Sequence, residues 1–160
     1  MVSRPAGVRR VLTAGLDLAL PTECGGCSRP GEPWCARCAQ RVIDDPIPVR
    51  PRADVGTDVW ALGRYRGTLR SAVIALKEHR RTDLIPILGD VLTRGLVRLA
   101  DADAFGEARA FGGPRTRDRL VLIPAPTRVL SARRRGGDPV TAVGAAAARR
   151  LGPRVAAVPL

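Results

Sequence analysis

The chain has 160 residues, of which 45% are hydrophobic but only 3% aromatic, so any core must be built from Val, Leu, Ile and Ala. That length supports one modest core, or one core plus a small metal-stapled module. The formal net charge is +12, with Lys77 the only lysine among 27 basic residues, and no stretch reaches the roughly 20 apolar residues of a membrane-spanning helix.

A positive surplus of this size suits nucleic acid, an anionic membrane surface or phosphate-rich small ligands. It equally suits an arginine-biased, solvated surface with no dedicated partner. Four thiolates around one dication would lower the charge by two, to +10, which is still strongly basic.

In chain order, residues 1–22 read as a short amphipathic helix. Val8, Val11, Leu12, Gly15, Leu16 and Ala19 share one helical face. Arg4, Arg9 and Arg10 precede an apolar run, as in a signal peptide. However, Asp17 interrupts that run and Pro21-Thr22-Glu23 is a poor cleavage region. The expectation is a helix packed on a cytoplasmic protein, with attachment to a membrane surface as the alternative.

Residues 23–41 hold all four cysteines, Cys24, Cys27, Cys35 and Cys38, in the pattern C-x2-C-x7-C-x2-C. Each C-x2-C pair lets two thiolates reach one ion from a tight knuckle, and the spacer can fold back to complete a tetrahedron. Gly25 and Gly26 are expected to permit the first tight turn. Four thiolates leave no open coordination position, so the site is expected to be a structural zinc centre. An iron–sulfur cluster uses the same atoms at other spacings, and two disulfides would require an oxidising compartment.

Residues 42–56 contain Pro46, Pro48, Pro51 and Gly56 and read as an extended linker. Residues 57–160 then alternate between strand and helix patterns. A strand is expected over 58–65, with Val59 and Ala61 on one face and Trp60 and Leu62 on the other. Leu69, Ala72, Val73 and Leu76 follow helical spacing up to a basic cluster holding Lys77, His79, Arg80 and Arg81. His79, at a helix end, reads first as a dipole partner rather than a chemical group. A second helix is expected from Asp83 as N-cap, tolerating Pro86 in its first turn. Its apolar face is Leu84, Ile87, Leu88, Val91, Leu92, Leu96 and Leu99.

Residues 101–118 read as a loop, and the continuous apolar run over 119–124 as a buried parallel strand. Asp138-Pro139 opens a further helix with Val140, Val143, Ala147 and Leu151 on its buried face, and 154–160 reads as one more strand. Arg133, Arg134, Arg135, Gly136 and Gly137 lie between a strand end and that helix start. Ligands bind beyond strand ends in parallel α/β sheets, and helix N-termini favour anions. The segment is therefore a candidate anion site, with an exposed basic loop as the alternative.

Taken in order, four features resemble the ComF family of competence-associated, phosphoribosyltransferase-like proteins. They are the short helix ending at Pro21 before Cys24-Gly-Gly-Cys27 and Cys35-Ala-Arg-Cys38; Tyr65-Arg66-Gly67-Thr68-Leu69-Arg70 followed by Leu76-Lys77; the strand ending Ile123-Pro124-Ala125-Pro126; and Arg133-Arg134-Arg135-Gly136. The resemblance implies a type I phosphoribosyltransferase-like parallel sheet that binds phosphoribosyl pyrophosphate with magnesium. It places Arg135-Gly136-Gly137 near the pyrophosphate and Lys77 at a basic position of the family. It also implies an association with DNA uptake and competence proteins.

Two departures shape the expectation. Gly137-Asp138-Pro139 stands where the family commonly has an aromatic residue and Asn-Gln. No paired acids followed by Thr-Thr-Gly, the family's phosphoribosyl-pyrophosphate loop, occur between Arg154 and Leu160, and Asp44-Asp45 has no following glycine turn. With three candidate strands where that fold needs about five, the reading is an incomplete sheet in the N-terminal part of such a protein, and a transferase lacking part of its machinery. The alternative is a non-enzymatic zinc ribbon that binds nucleic acid or a competence partner.

Overall fold

A computed structural model describes residues 22–42, 45–102, 104, 120–125 and 137–158. The expected N-terminal helix, most of the expected loop over 101–118 and the segment 126–136 lie outside the described residues. Within them the order is α1 (Ala36–Arg41), β1 (Ile47–Pro48), β2 (Trp60–Ala61), α2 (Gly67–Glu78), a 3₁₀ turn (Thr82–Leu84), α3 (Ile85–Asp101), β3 (Leu120–Leu122), α4 (Pro139–Leu151) and β4 (Val155–Ala157). The class is mixed α/β.

The helices form where the apolar spacing placed them. α2 buries Ala72 and Leu76, and α3 buries Leu88, Val91, Leu96 and Leu99. Asp83, the expected N-cap of α3, has another task. The chain makes one 3₁₀ turn over Thr82–Leu84, and the Asp83 carboxylate is held instead by the Arg81 guanidinium, with Nη2 2.7 Å from Oδ2. Pro86 falls in the first turn of α3, where no N–H is missed. Asp138 caps α4 as expected. Its Oδ1 accepts from the Val140 N–H at 3.1 Å, and its Oδ2 accepts from the Thr141 hydroxyl at 2.6 Å. Gly152, at φ 93°, ends the helix in a conformation that disfavours a side chain.

α3 and α4 pack closely because both present small residues. An added Cβ at Gly89 would lie 2.8 Å from the Ala146 Cβ, so the two backbones approach to a distance that only glycine allows. An ion pair between Asp90 and Arg150 flanks this contact. The central cluster joins Ala72, Leu76, Leu84 and Leu88, with Val143 of α4 against it.

Two expectations about strands are corrected. The strand over 58–65 is only two residues long, because Gly63, at φ 154°, and a tight turn from Arg64 to Arg66 end it. It pairs antiparallel with Ile47–Pro48, in register Ile47↔Ala61, so the presumed linker supplies its partner. Pro48 is tolerated because, among the described residues, the pair has no further strand to satisfy. β3 and β4 are parallel, in register Leu120↔Val155 and Leu122↔Ala157, and α4 connects them. The run over 119–124 is not buried on both faces, however. Val121 is 48% and Ile123 59% exposed, because only one face of the pair meets α4.

Candidate functional site

The first cysteine pair lies on a small hairpin. Glu23 bridges Pro30, the Cys24 N–H donates to the Arg29 carbonyl at 2.8 Å, and the Ser28 N–H donates to the Cys24 carbonyl at 2.8 Å. The residue that adopts the left-handed conformation is Ser28, at φ 58°, not either glycine. The second pair is built differently from a second knuckle: Cys35 is the N-cap of α1 and Cys38 lies in its first turn. The sequence expectation of a ribbon with two like knuckles is therefore replaced by a hairpin facing a helix start.

Gly25 and Gly26 lie in the first turn, as expected, but what requires glycine there is close contact rather than a positive φ. A Cβ at Gly25 would lie 2.5 Å from Leu84 Cδ1, and one at Gly26 would lie 2.6 Å from Thr68 Cγ2 and 2.8 Å from Cys38 Sγ. The hairpin is thus pressed against α2, the 3₁₀ turn and the second cysteine pair. Trp34 packs against both the cysteine cluster and the helical core. Arg81, while paired with Asp83, donates from Nη2 to the Glu23 carbonyl at 2.7 Å and ties the hairpin to the body.

The four sulfurs lie within 4.8 Å of one another, and Cys24, Cys35 and Cys38 are buried. Cys27 Sγ is 3.7 Å from Cys35 Sγ. A tetrahedron with metal–sulfur bonds of about 2.3 Å has edges of about 3.8 Å, whereas a disulfide bond is about 2.05 Å. The donor set therefore fits a metal ion. The Cys35 N–H points at Cys24 Sγ at 3.4 Å, a contact that stabilises a thiolate.

The four thiols cannot all ionise easily without a cation. Burial, reinforced by its three sulfur neighbours, pushes Cys38 up to about 12. The Arg29 backbone N–H and then the Arg37 guanidinium hold Cys27 down at about 6. For Cys24, burial acts upward, but backbone N–H groups led by that of Cys35 outweigh it, so the thiol lies below its ordinary value. A bound dication would remove the mutual repulsion that keeps Cys38 protonated.

The predicted anion site is only partly within the described residues. Arg133, Arg134, Arg135 and Gly136 lie outside them. Gly137, at φ 150°, lines a cavity of about 140 Å³ together with Leu76, Arg80 and Ile85. Lys77 is half-buried on α2 and is not among the residues lining that cavity. The N-terminus of α4 is already served by the Asp138 carboxylate, which a bound anion would have to approach or displace. Arg80, at φ 54°, was not anticipated there; its sequence signal was the break between two helical patterns.

A second cationic cavity, of about 200 Å³, lies at the start of α2. Arg41, Arg64 and Arg66 line it with Ile47 and Leu69. Sequence reasoning passed over it because its residues come from two separate segments, 41–47 and 63–69. Its local signal was Arg64-Tyr65-Arg66-Gly67, a basic–aromatic run directly before a helix.

None of the described helices is long and apolar enough to cross a membrane. No protein-family model, curated protein or solved structure matches the chain.

Proposed function

We propose that this chain is a ComF-like protein: a phosphoribosyltransferase-type α/β body stapled by one N-terminal structural zinc, associated with DNA uptake in the cytoplasm, and lacking transfer activity in these 160 residues. The observation that carries the proposal is the order of parts. A four-cysteine cluster is pressed onto a body whose last described unit is strand–helix–strand with parallel strands, the building block of that fold. The closed thiolate set favours zinc over a catalytic metal.

In an active relative, pyrophosphate leaves the ribose C1 carbon as a nitrogen nucleophile attacks, and magnesium with basic groups neutralises the departing charge. Lys77, Arg133, Arg134, Arg135, Gly136 and Gly137 are the residues assigned to that anion. Titration of the zinc-loaded protein with phosphoribosyl pyrophosphate and magnesium tests the reading. Weak binding that falls further on Arg135→Ala is expected; micromolar binding would show that the ribose-binding function is present after all.

A second reading is a nucleic-acid-binding protein without enzymatic activity. It is favoured by the charge of +12 together with the cationic cavity beside the cysteine module. Trp34 is partly buried against the cysteine cluster and the helical core, which ties up part of its surface. Tyr65, 62% exposed between two arginines, is the better stacking surface.

A further inference from the structure

We infer that the cavity formed by Arg41, Arg64 and Arg66 at the start of α2 binds phosphate groups, those of single-stranded nucleic acid in particular. This deepens the second reading above by naming its site, and the site is distinct from the Arg133–Gly137 segment assigned to pyrophosphate.

The geometry carries the inference in three ways. First, three arginines from two parts of the chain line one cavity: Arg41 ends α1, and Arg64 and Arg66 flank the turn before α2. None of the three has a side-chain hydrogen bond or ion pair among the described residues. The one carboxylate lining the cavity, Asp45, is paired with Arg98 from α3, so it does not cancel their charge.

Second, the cavity also contains Thr68 of the first turn of α2, and no side chain caps that helix. This contrasts with α4, whose cap is an aspartate. Uncapped N–H groups beside three forked cations form a phosphate-selective arrangement. Third, the turn that sets Arg64 and Arg66 in place leaves Tyr65 between them 62% exposed. Cationic grooves bordered by aromatic faces hold successive phosphates and bases of a single strand.

The shared chemistry is a phosphate group, so the test separates its two sources. The probes are a fluorescein-labelled dT15 oligonucleotide, followed by anisotropy over a salt series, and inorganic pyrophosphate, followed by titration calorimetry. Both are applied to the zinc-loaded full chain. Arg64→Ala/Arg66→Ala should weaken oligonucleotide binding about tenfold or more. It should also flatten the slope of log K against log salt by about 1.4, since each phosphate contact on a single strand contributes about 0.7. Arg50→Ala/Arg52→Ala removes the same charge from exposed positions outside the cavity and should change affinity less than about threefold.

Tyr65→Ala should weaken the oligonucleotide but leave pyrophosphate unchanged. Loss of pyrophosphate alone on Arg64→Ala/Arg66→Ala would assign the cavity to a small phosphate ester and overturn the nucleic-acid assignment. Equal losses from the two double variants would reduce the effect to net charge and overturn the site while sparing the reading. Absence of oligonucleotide binding by the unmodified chain at low salt would overturn both. None of these outcomes depends on phosphoribosyl-pyrophosphate binding, so the proposed transferase ancestry stands or falls separately.

Discussion

Gly25 and Leu84 offer a direct way to ask whether the cysteine hairpin is packed on the helical body or merely tethered to it. Leu84 is fully buried, and a Cβ placed on Gly25 would lie 2.5, 2.8 and 3.2 Å from its Cδ1, Cδ2 and Cγ atoms. Those three atoms are the ones that Leu84→Ala removes. Gly25→Ala alone should therefore overpack the contact and destabilise by about 1–3 kcal/mol. Leu84→Ala alone should cost about 2–5 kcal/mol through lost burial and the cavity left behind. In the double variant the added methyl enters the space that the leucine vacated. The combined loss should then fall short of the sum by at least about 1 kcal/mol. Urea denaturation of the zinc-loaded protein, with the unmodified chain and the three variants at one pH and one metal concentration, reads the cycle. Additive losses would mean that the hairpin does not touch the 3₁₀ turn, and the reasoning behind the stapled body would fail.

Other consequences follow from single contacts. Asp138→Ala removes both acceptors at the start of α4 and should cost about 0.5–2 kcal/mol in the same denaturation assay; Asp138→Asn should retain most of the stability. Gly89→Ala places a methyl 2.8 Å from the Ala146 Cβ, and its steric cost should exceed the roughly 1 kcal/mol gained in helix propensity, with partial rescue by Ala146→Gly. Zinc binding should release protons, because Cys38, at about 12, must ionise at pH 7. Cys27, at about 6, is already a thiolate there, so fewer than four protons should leave per ion, and affinity should fall as pH drops toward 6. Calorimetry in buffers of different ionisation enthalpy measures that number; release of none, or of all four, would contradict the assignment.

The sequence made some of this legible for clear physical reasons. The C-x2-C pairs announced the cluster because metal ligation fixes both residue type and spacing. The apolar faces of α2 and α3 followed 3.6-residue periodicity, and Asp138-Pro139 marked a helix start by local chemistry alone; the face of α4 shifted instead to Gly144, Ala146, Ala147 and Ala148, small residues that allow close approach. What failed depended on partners outside the local pattern. Asp83 is a good cap in isolation, but Arg81 is close enough to claim it. Gly25 and Gly26 looked like turn residues, yet their need for glycine comes from Leu84 and Thr68, more than 40 positions away. The presumed linker became a strand because Trp60–Ala61 needed a partner. The Arg41, Arg64 and Arg66 cavity was invisible for the same reason: convergence of two segments leaves no periodic trace.

The central claim is that Cys24, Cys27, Cys35 and Cys38 hold one structural metal that joins the hairpin to α1. Metal analysis with zinc-edge X-ray absorption on the purified chain tests it most directly. The account predicts one zinc per chain with four sulfur neighbours at about 2.3 Å, lost in a Cys35→Ser variant together with cooperative unfolding. Substoichiometric metal, or nitrogen or oxygen atoms in the first coordination sphere of the unmodified protein, would contradict it.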